Sequence, residues 1–157
     1  MNIFLLDKDF RKNAEFLCDT HLRKMIVESY QLLNNGLPEH KRFYKTSHLN
    51  HPCSVWVRKD INNYRTLAKI TAEYIKEYEF RFNKKHKCSF IKLPFLKQNF
   101  TVKYDLPQCL PDEFKQNDTV LAYRAYYVNK LKEWRIRQDK RQIIANWTKR
   151  NMPVFIE

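Results

Sequence analysis

The sequence predicts a mainly α fold. It reads as a compact single domain over residues 1–157, with three principal helices, a short N-terminal extended segment and long irregular connections. Three observations carry this. Apolar residues recur at helical spacing over 10–33 and 52–82, and again in "TVLAYRAYYVNKLKEW" after Asp118. A content of 43% hydrophobic and 15% aromatic residues is enough for a real core and argues against disorder. Three prolines, Pro94, Pro107 and Pro111, interrupt 88–117, where periodicity fades.

Residues 2–6 form the extended segment. The first helix spans 10–33 and stops at Asn34-Asn35-Gly36. A polar loop, 36–51, leads to Pro52, which suits the first turn of a second helix reaching Phe82. Trp56, Tyr64, Leu67, Ile70, Thr71, Tyr74, Ile75 and Tyr78 keep its helical spacing, and Asn83 caps it. The third helix starts at an Asp118 N-cap. A basic tail, 135–157, closes the chain.

No run of eighteen apolar residues is present, so no membrane helix is expected. The N-terminus lacks a basic region and a small-residue cleavage site, which argues against secretion. The four cysteines (18, 53, 88, 109) include no CxxC pair and read as reduced thiols of an intracellular protein. A single glycine excludes a Gly-rich phosphate loop. The formal net charge is +13. Residues 1–80 hold thirteen basic and ten acidic groups, and residues 81–157 hold seventeen and seven. An excess this uneven points to a polyanionic partner, nucleic acid.

Four constellations stand out. On "CDTHLRKMIVESYQLL" (18–33), His21 and Glu28 fall within the apolar arc, seven residues apart, with Asp19 and Arg23 at its edge. A carboxylate there is costly unless paired or used. It can serve a reacting centre or join a buried polar network. "HLNHPCSVW" supplies His48, His51 and Cys53, metal-capable together with Cys18 and His21. The spacings match no standard zinc finger, so neither metal nor cofactor is predicted. The plainer readings are His51 as an N-terminal cap and Cys53 as a small buried hydrophobe. "EFRFNKKHK" (79–87) and "KLKEWRIRQDKRQ" (130–142) interleave cations with rings, as phosphate contacts and an extruded base require. They offer Arg81, Lys84, Lys85, Lys87, Arg135 and Arg137 to DNA. "AYRAYYVNKL" adds Arg124 beside Tyr123, Tyr126 and Tyr127, which read as core and rim more readily than as a stacking platform.

These residues carry a resemblance. "DTHLRKMIVES" resembles the first-helix signature of phage-type pyrimidine-dimer DNA glycosylases, in which a His precedes the catalytic Glu by seven residues. The matching positions are His21 and Glu28. His51 stands at the start of the second helix, and Arg81-Phe82-Asn83-Lys84 resembles that helix's ending. Trp147-Thr148-Lys149 echoes an aromatic–Lys tail that grips damaged DNA. The "MNIFLLD" start and the "NHPCSVW" block also resemble small uncharacterised tailed-phage proteins.

The resemblance implies a DNA glycosylase, with abasic-site lyase activity, that extrudes damaged or modified pyrimidines from double-stranded DNA. It implies a monomer in the cytoplasm of a phage-infected bacterium, without a membrane and without a cofactor. The catalytic set is Glu28, His21 and the amino terminus at Met1 and Asn2. DNA contacts extend to Arg23, Lys24, His51, Trp147 and Lys149. The family's nucleophile is an N-terminal amine, freed when Met1 is removed before a small second residue. Here Asn2 follows, which keeps the amine on Met1. Either that amine reaches the site, or simple glycosylase chemistry remains. Two alternatives stay open: a phage enzyme modifying pyrimidines on the same scaffold, and a non-catalytic DNA- or RNA-binding protein.

Overall fold

The computed structural model describes residues 1–94, 99–137 and 141–156. Among the described residues are five α-helices and no strand: α1 (Phe10–Phe16), α2 (Asp19–Asn35), α3 (Pro52–Lys59), α4 (Ile61–Phe82) and α5 (Thr119–Ile136). The mainly α expectation holds. The helix count rises from three to five because each of the first two predicted helices is broken once.

The first break falls at Leu17 and Cys18, both extended, with ψ of 133° and 160°. Helix ends leave backbone donors and acceptors without partners, and here distant residues supply them. The Cys18 N–H donates to Tyr127 Oη at 2.9 Å, and the Asp19 N–H to the Asn146 carbonyl at 2.8 Å. Arg81 donates to the carbonyls of Leu17, Ala14 and Glu15 at 2.7, 3.4 and 2.8 Å. The second break is at Asp60 (φ −148°, ψ 140°), whose carboxylate accepts the Asn62 N–H at 2.6 Å and opens α4.

The other predicted boundaries hold. Asn83 closes α4 in the left-handed conformation, its N–H on the Glu79 carbonyl at 2.9 Å. Asp118 caps α5 through the Val120 and Leu121 N–H groups at 2.7 and 3.1 Å. Gly36 ends α2 for a different reason than a left-handed turn, since its φ is −78°. A Cβ there would lie 2.8 Å from Tyr64 Cδ2 and 3.1 Å from Val57, so glycine lets this corner approach α3 and α4.

The extended segment runs through the middle of the core. Ile3, Phe4, Leu5 and Leu6 are all buried, and each such side chain stabilises by roughly 1.5–3 kcal/mol. Tyr74 Oη donates to the Phe4 carbonyl at 3.2 Å, and the Leu6 N–H reaches Asn13 Oδ1 at 2.6 Å. The Phe4 ring meets Tyr123 and Tyr127 of α5 at 5.3 and 5.7 Å between centroids. This threading holds the amino terminus against the helices.

Arg81 departs from its expected role. Its side chain is fully buried, bonded to Glu77 Oε1 at 2.6 Å and Asp19 Oδ1 at 3.0 Å as well as to the three carbonyls. It therefore bolts α4 to the α1–α2 junction and is not available to DNA. The tail locks onto the same place. Trp147 Nε1 donates to the Phe16 carbonyl at 3.0 Å, and Thr148 Oγ1 donates to Asp19 Oδ2 at 2.7 Å. Lys149 Nζ donates to the Phe80 carbonyl and to Asn83 Oδ1, both at 2.7 Å. Arg150 pairs with Glu77 Oε2 at 2.9 Å. Trp147 and Lys149, expected to grip DNA, spend these polar groups fastening the tail. Burial alone would raise the Glu77 carboxyl, but hydrogen bonds from Arg150 and Arg81 win and hold it below its ordinary value.

Candidate active site at the amino terminus

Asn2 is the pin of this site. Its side-chain amide donates to the Cys109 carbonyl at 2.7 Å, and its Oδ1 accepts the Ile3 N–H at 2.8 Å. The Tyr123 hydroxyl lies 2.8 Å from the same Oδ1 and 2.6 Å from the Pro107 carbonyl, and it accepts the Cys109 N–H at 3.3 Å. Two distant parts of the chain, the connection at 107–109 and Tyr123 of α5, thus converge on residue 2.

The Asn2 backbone N–H donates to Glu28 Oε2 at 3.2 Å. Glu28 projects from α2 with its side chain 14% exposed, and its other oxygen lies 3.5 Å from Lys24 Nζ. Backbone bond lengths keep the Met1 amine within about 3.7 Å of the Asn2 nitrogen, hence within about 7 Å of the carboxylate. The structure therefore brings together Met1, Asn2, Glu28 and Lys24, a carboxylate and an amine at one half-buried spot.

His51 stands beside them as the N-cap of α3, its Nδ1 accepting the Cys53 N–H at 3.2 Å. The capping role read from the sequence holds. Burial lowers the His51 pKa, and the cationic amino terminus and His48 lower it further, while Glu28 acts in the opposite direction. Cys53 Sγ lies 3.5 Å from Cys109 Sγ. The thiol–thiol hydrogen bond, with burial, pushes the Cys53 thiol up, whereas at Cys109 the same hydrogen bond outweighs burial and pulls the thiol down.

His21 is not part of this cluster. Along α2 it stands two turns from Glu28, about 10.5 Å by helical rise. Its ring is boxed by Phe4, Tyr127 and Trp134 at 4.5, 5.2 and 5.5 Å between centroids. Both ring nitrogens are buried without a hydrogen-bond partner. Burial first, then the charges of Lys24 and Lys130, lowers its pKa from 6.5 to about 3. The expectation that His21 joins Glu28 in the catalytic set is corrected: His21 is a neutral imidazole packed among aromatic rings and closed off from solvent. Tyr123 and Tyr127 are buried core residues, as weighed from the sequence.

Of the candidate DNA-contacting cations, Lys24 lies at the site, 3.5 Å from Glu28. Arg23 and Lys24 are exposed on α2, and the Arg23 guanidinium lies 4.3 Å from the Phe82 ring centroid. Lys84, Lys85 and Lys87 are exposed beyond α4, and Arg135 is exposed near the end of α5. Arg137 is half-buried, and residues 138–140 of the second basic patch lie outside the described residues. Arg124 faces inward instead, donating to the Leu6 carbonyl at 2.7 Å and pairing with Asp7 at 3.1 Å.

Sequence reasoning missed Cys109 and the site role of Tyr123. Cys109 sits in the aperiodic connection, where spacing carries no signal. Tyr123 shows only as one apolar position of α5. Of Cys18, His21, His48, His51 and Cys53, only His51 and Cys53 join a three-membered ligand-type cluster among the described residues, and its third member is Cys109.

A family model described as pyrimidine dimer DNA glycosylase matches residues 1–90, from the amino terminus through α4 and including Asn2, Glu28 and His51. No curated protein and no solved structure matches the chain.

Proposed function

Since this chain belongs to the pyrimidine dimer DNA glycosylase family, we propose that it is a monomeric glycosylase and abasic-site lyase acting on damaged or modified pyrimidines in double-stranded DNA. One observation carries the reading. The Glu28 carboxylate accepts the Asn2 N–H at 3.2 Å, next to the amine of Met1. An α-amine titrates near 7.7–8.0 in reference peptides, so a useful fraction of such amines is neutral at physiological pH.

In this mechanism the neutral amine attacks C1′ of the target nucleotide, and the glycosidic bond breaks. The base leaves with a proton, and the amine gives up its own. Ring opening yields a Schiff base, and loss of a C2′ proton then expels the 3′ phosphate. Glu28 faces the cationic sugar and relays these protons. Lys24, 3.5 Å from Glu28 and 55% exposed, meets the neighbouring phosphate. Arg23, Lys84, Lys85 and Lys87 extend that grip. Extrusion is easiest at a poorly stacked lesion, which supplies part of the selectivity.

Borohydride trapping tests this. Duplexes carrying a cyclobutane pyrimidine dimer, an abasic site or no lesion are mixed with protein, reduced and resolved on a denaturing gel. The expected result is a covalent adduct on the first two, lost when the terminal amine is blocked. Free base without an adduct would remove the lyase step. An altered nucleoside with its glycosidic bond intact would point to base modification instead.

A further inference from the structure

We propose that His51, Cys53 and Cys109 form a binding site for one zinc-class divalent cation beside the amino terminus. The ligand atoms of these three residues all lie within 4.8 Å of one another. The two sulfurs are 3.5 Å apart. Zinc–sulfur bonds of about 2.3 Å in a tetrahedron place two sulfurs about 3.8 Å apart. The thiols therefore already stand near a tetrahedral edge.

The ligands are held from several directions. Cys53 is buried in the first turn of α3, two residues after the His51 cap. Cys109 is fixed on both sides, its carbonyl by the Asn2 amide at 2.7 Å and its N–H by Tyr123 at 3.3 Å. Asn2 Oδ1 lies 3.9 Å from the Cys53 sulfur, close to the spacing of about 3.6 Å expected for a fourth, oxygen ligand on the same ion.

The donor set selects the ion. Two thiolates and an imidazole favour zinc-class metals, whereas magnesium and calcium take oxygen ligands. Binding sends the two thiol protons to solvent. Metal binding also takes a His51 lone pair, so the weak 3.2 Å cap bond is exchanged for a metal bond. Two thiolates neutralise the dication, so the site adds no net charge next to the terminal amine. A bound ion would tie the connection before α5 to α3 and steady Asn2. The site stands independently of the glycosylase reading.

The test is cobalt titration of the full-length, reduced, chelator-stripped protein. The expected result is one cobalt per chain, with thiolate-to-cobalt charge-transfer absorption and the intense visible bands of a tetrahedral site, both displaced by zinc. Cys109→Ala, at a half-buried loop position, should lose the charge-transfer band. Cys88→Ser and Glu28→Gln should keep it, the latter whatever its activity. Absence of the band in the wild type, or its persistence in Cys109→Ala, would overturn the proposal.

Discussion

His21 gives a quantitative test of the corrected site. Its pKa falls from 6.5 to about 3 in the folded protein. The unfolded chain therefore binds a proton below pH 6.5 that the folded chain refuses until near pH 3. Stability tied to His21 is fully present above pH 6.5 and is lost as pH falls through that window, at about 1.4 kcal/mol per unit. Between pH 7.5 and 4.5 the loss is roughly 3 kcal/mol, a large fraction of the stability of a small domain. The groups around the ring reinforce the sign: Lys24 and Lys130 repel an imidazolium, and Phe4, Trp134 and the un-ionised Tyr127 offer it no compensating charge. His21→Phe removes the titrating group and keeps an aromatic ring in the box. Urea unfolding of both proteins at the two pH values isolates the effect. Packing changes in the variant, and the acid titration of Glu77, which has the same sign, cancel in the difference of differences. The wild type should lose roughly 3 kcal/mol more than the variant on acidification. Equal losses would refute the buried neutral imidazole. Loss of turnover by a well-folded His21→Phe would restore a chemical role for His21.

Other expectations follow from the same geometry. Glu28→Gln should abolish turnover while DNA affinity and thermal midpoint stay near wild type, read by nicking, gel shift and calorimetry. A substantially active Glu28→Gln would end its assignment as the catalytic carboxylate. Arg81→Met leaves Glu77 facing Arg150 alone and strips three carbonyls of their donor. It should cost about 3–5 kcal/mol in urea unfolding, the range for breaking a buried ion pair, with no change in the salt slope of DNA binding. Lys84→Ala and Lys85→Ala should each lower that slope by about 1 and leave the fold intact. An unchanged slope would place DNA on another face.

Two of the three predicted helices were legible in their ends but not in their middles. Asn83, Asp118 and His51 cap where local chemistry says they should, because capping depends on groups a few residues apart. The break at Leu17–Cys18 depends on Tyr127, Asn146 and Arg81, which lie 64 or more residues away in sequence, and nothing local announces it. The break at Asp60 carried a local sign, a capping residue inside a periodic stretch, which the unbroken periodicity on both sides obscured. Arg81 was misplaced for a related reason. An arginine in a basic stretch reads as surface, and only the bundle shows five acceptors closing over it.

By itself the sequence determined the helical class, the strong positive charge and the placing of Glu28 within an apolar helix face, since periodicity, net charge and an acid at apolar spacing are properties of composition and spacing. Only the tertiary structure decided that His21 is sealed among aromatic rings, that Arg81 and the tail serve as fasteners, and that Asn2 joins Glu28, Tyr123 and Cys109. Each of those outcomes depends on which distant group satisfies a buried polar atom, and pairing across the chain leaves no mark in local spacing.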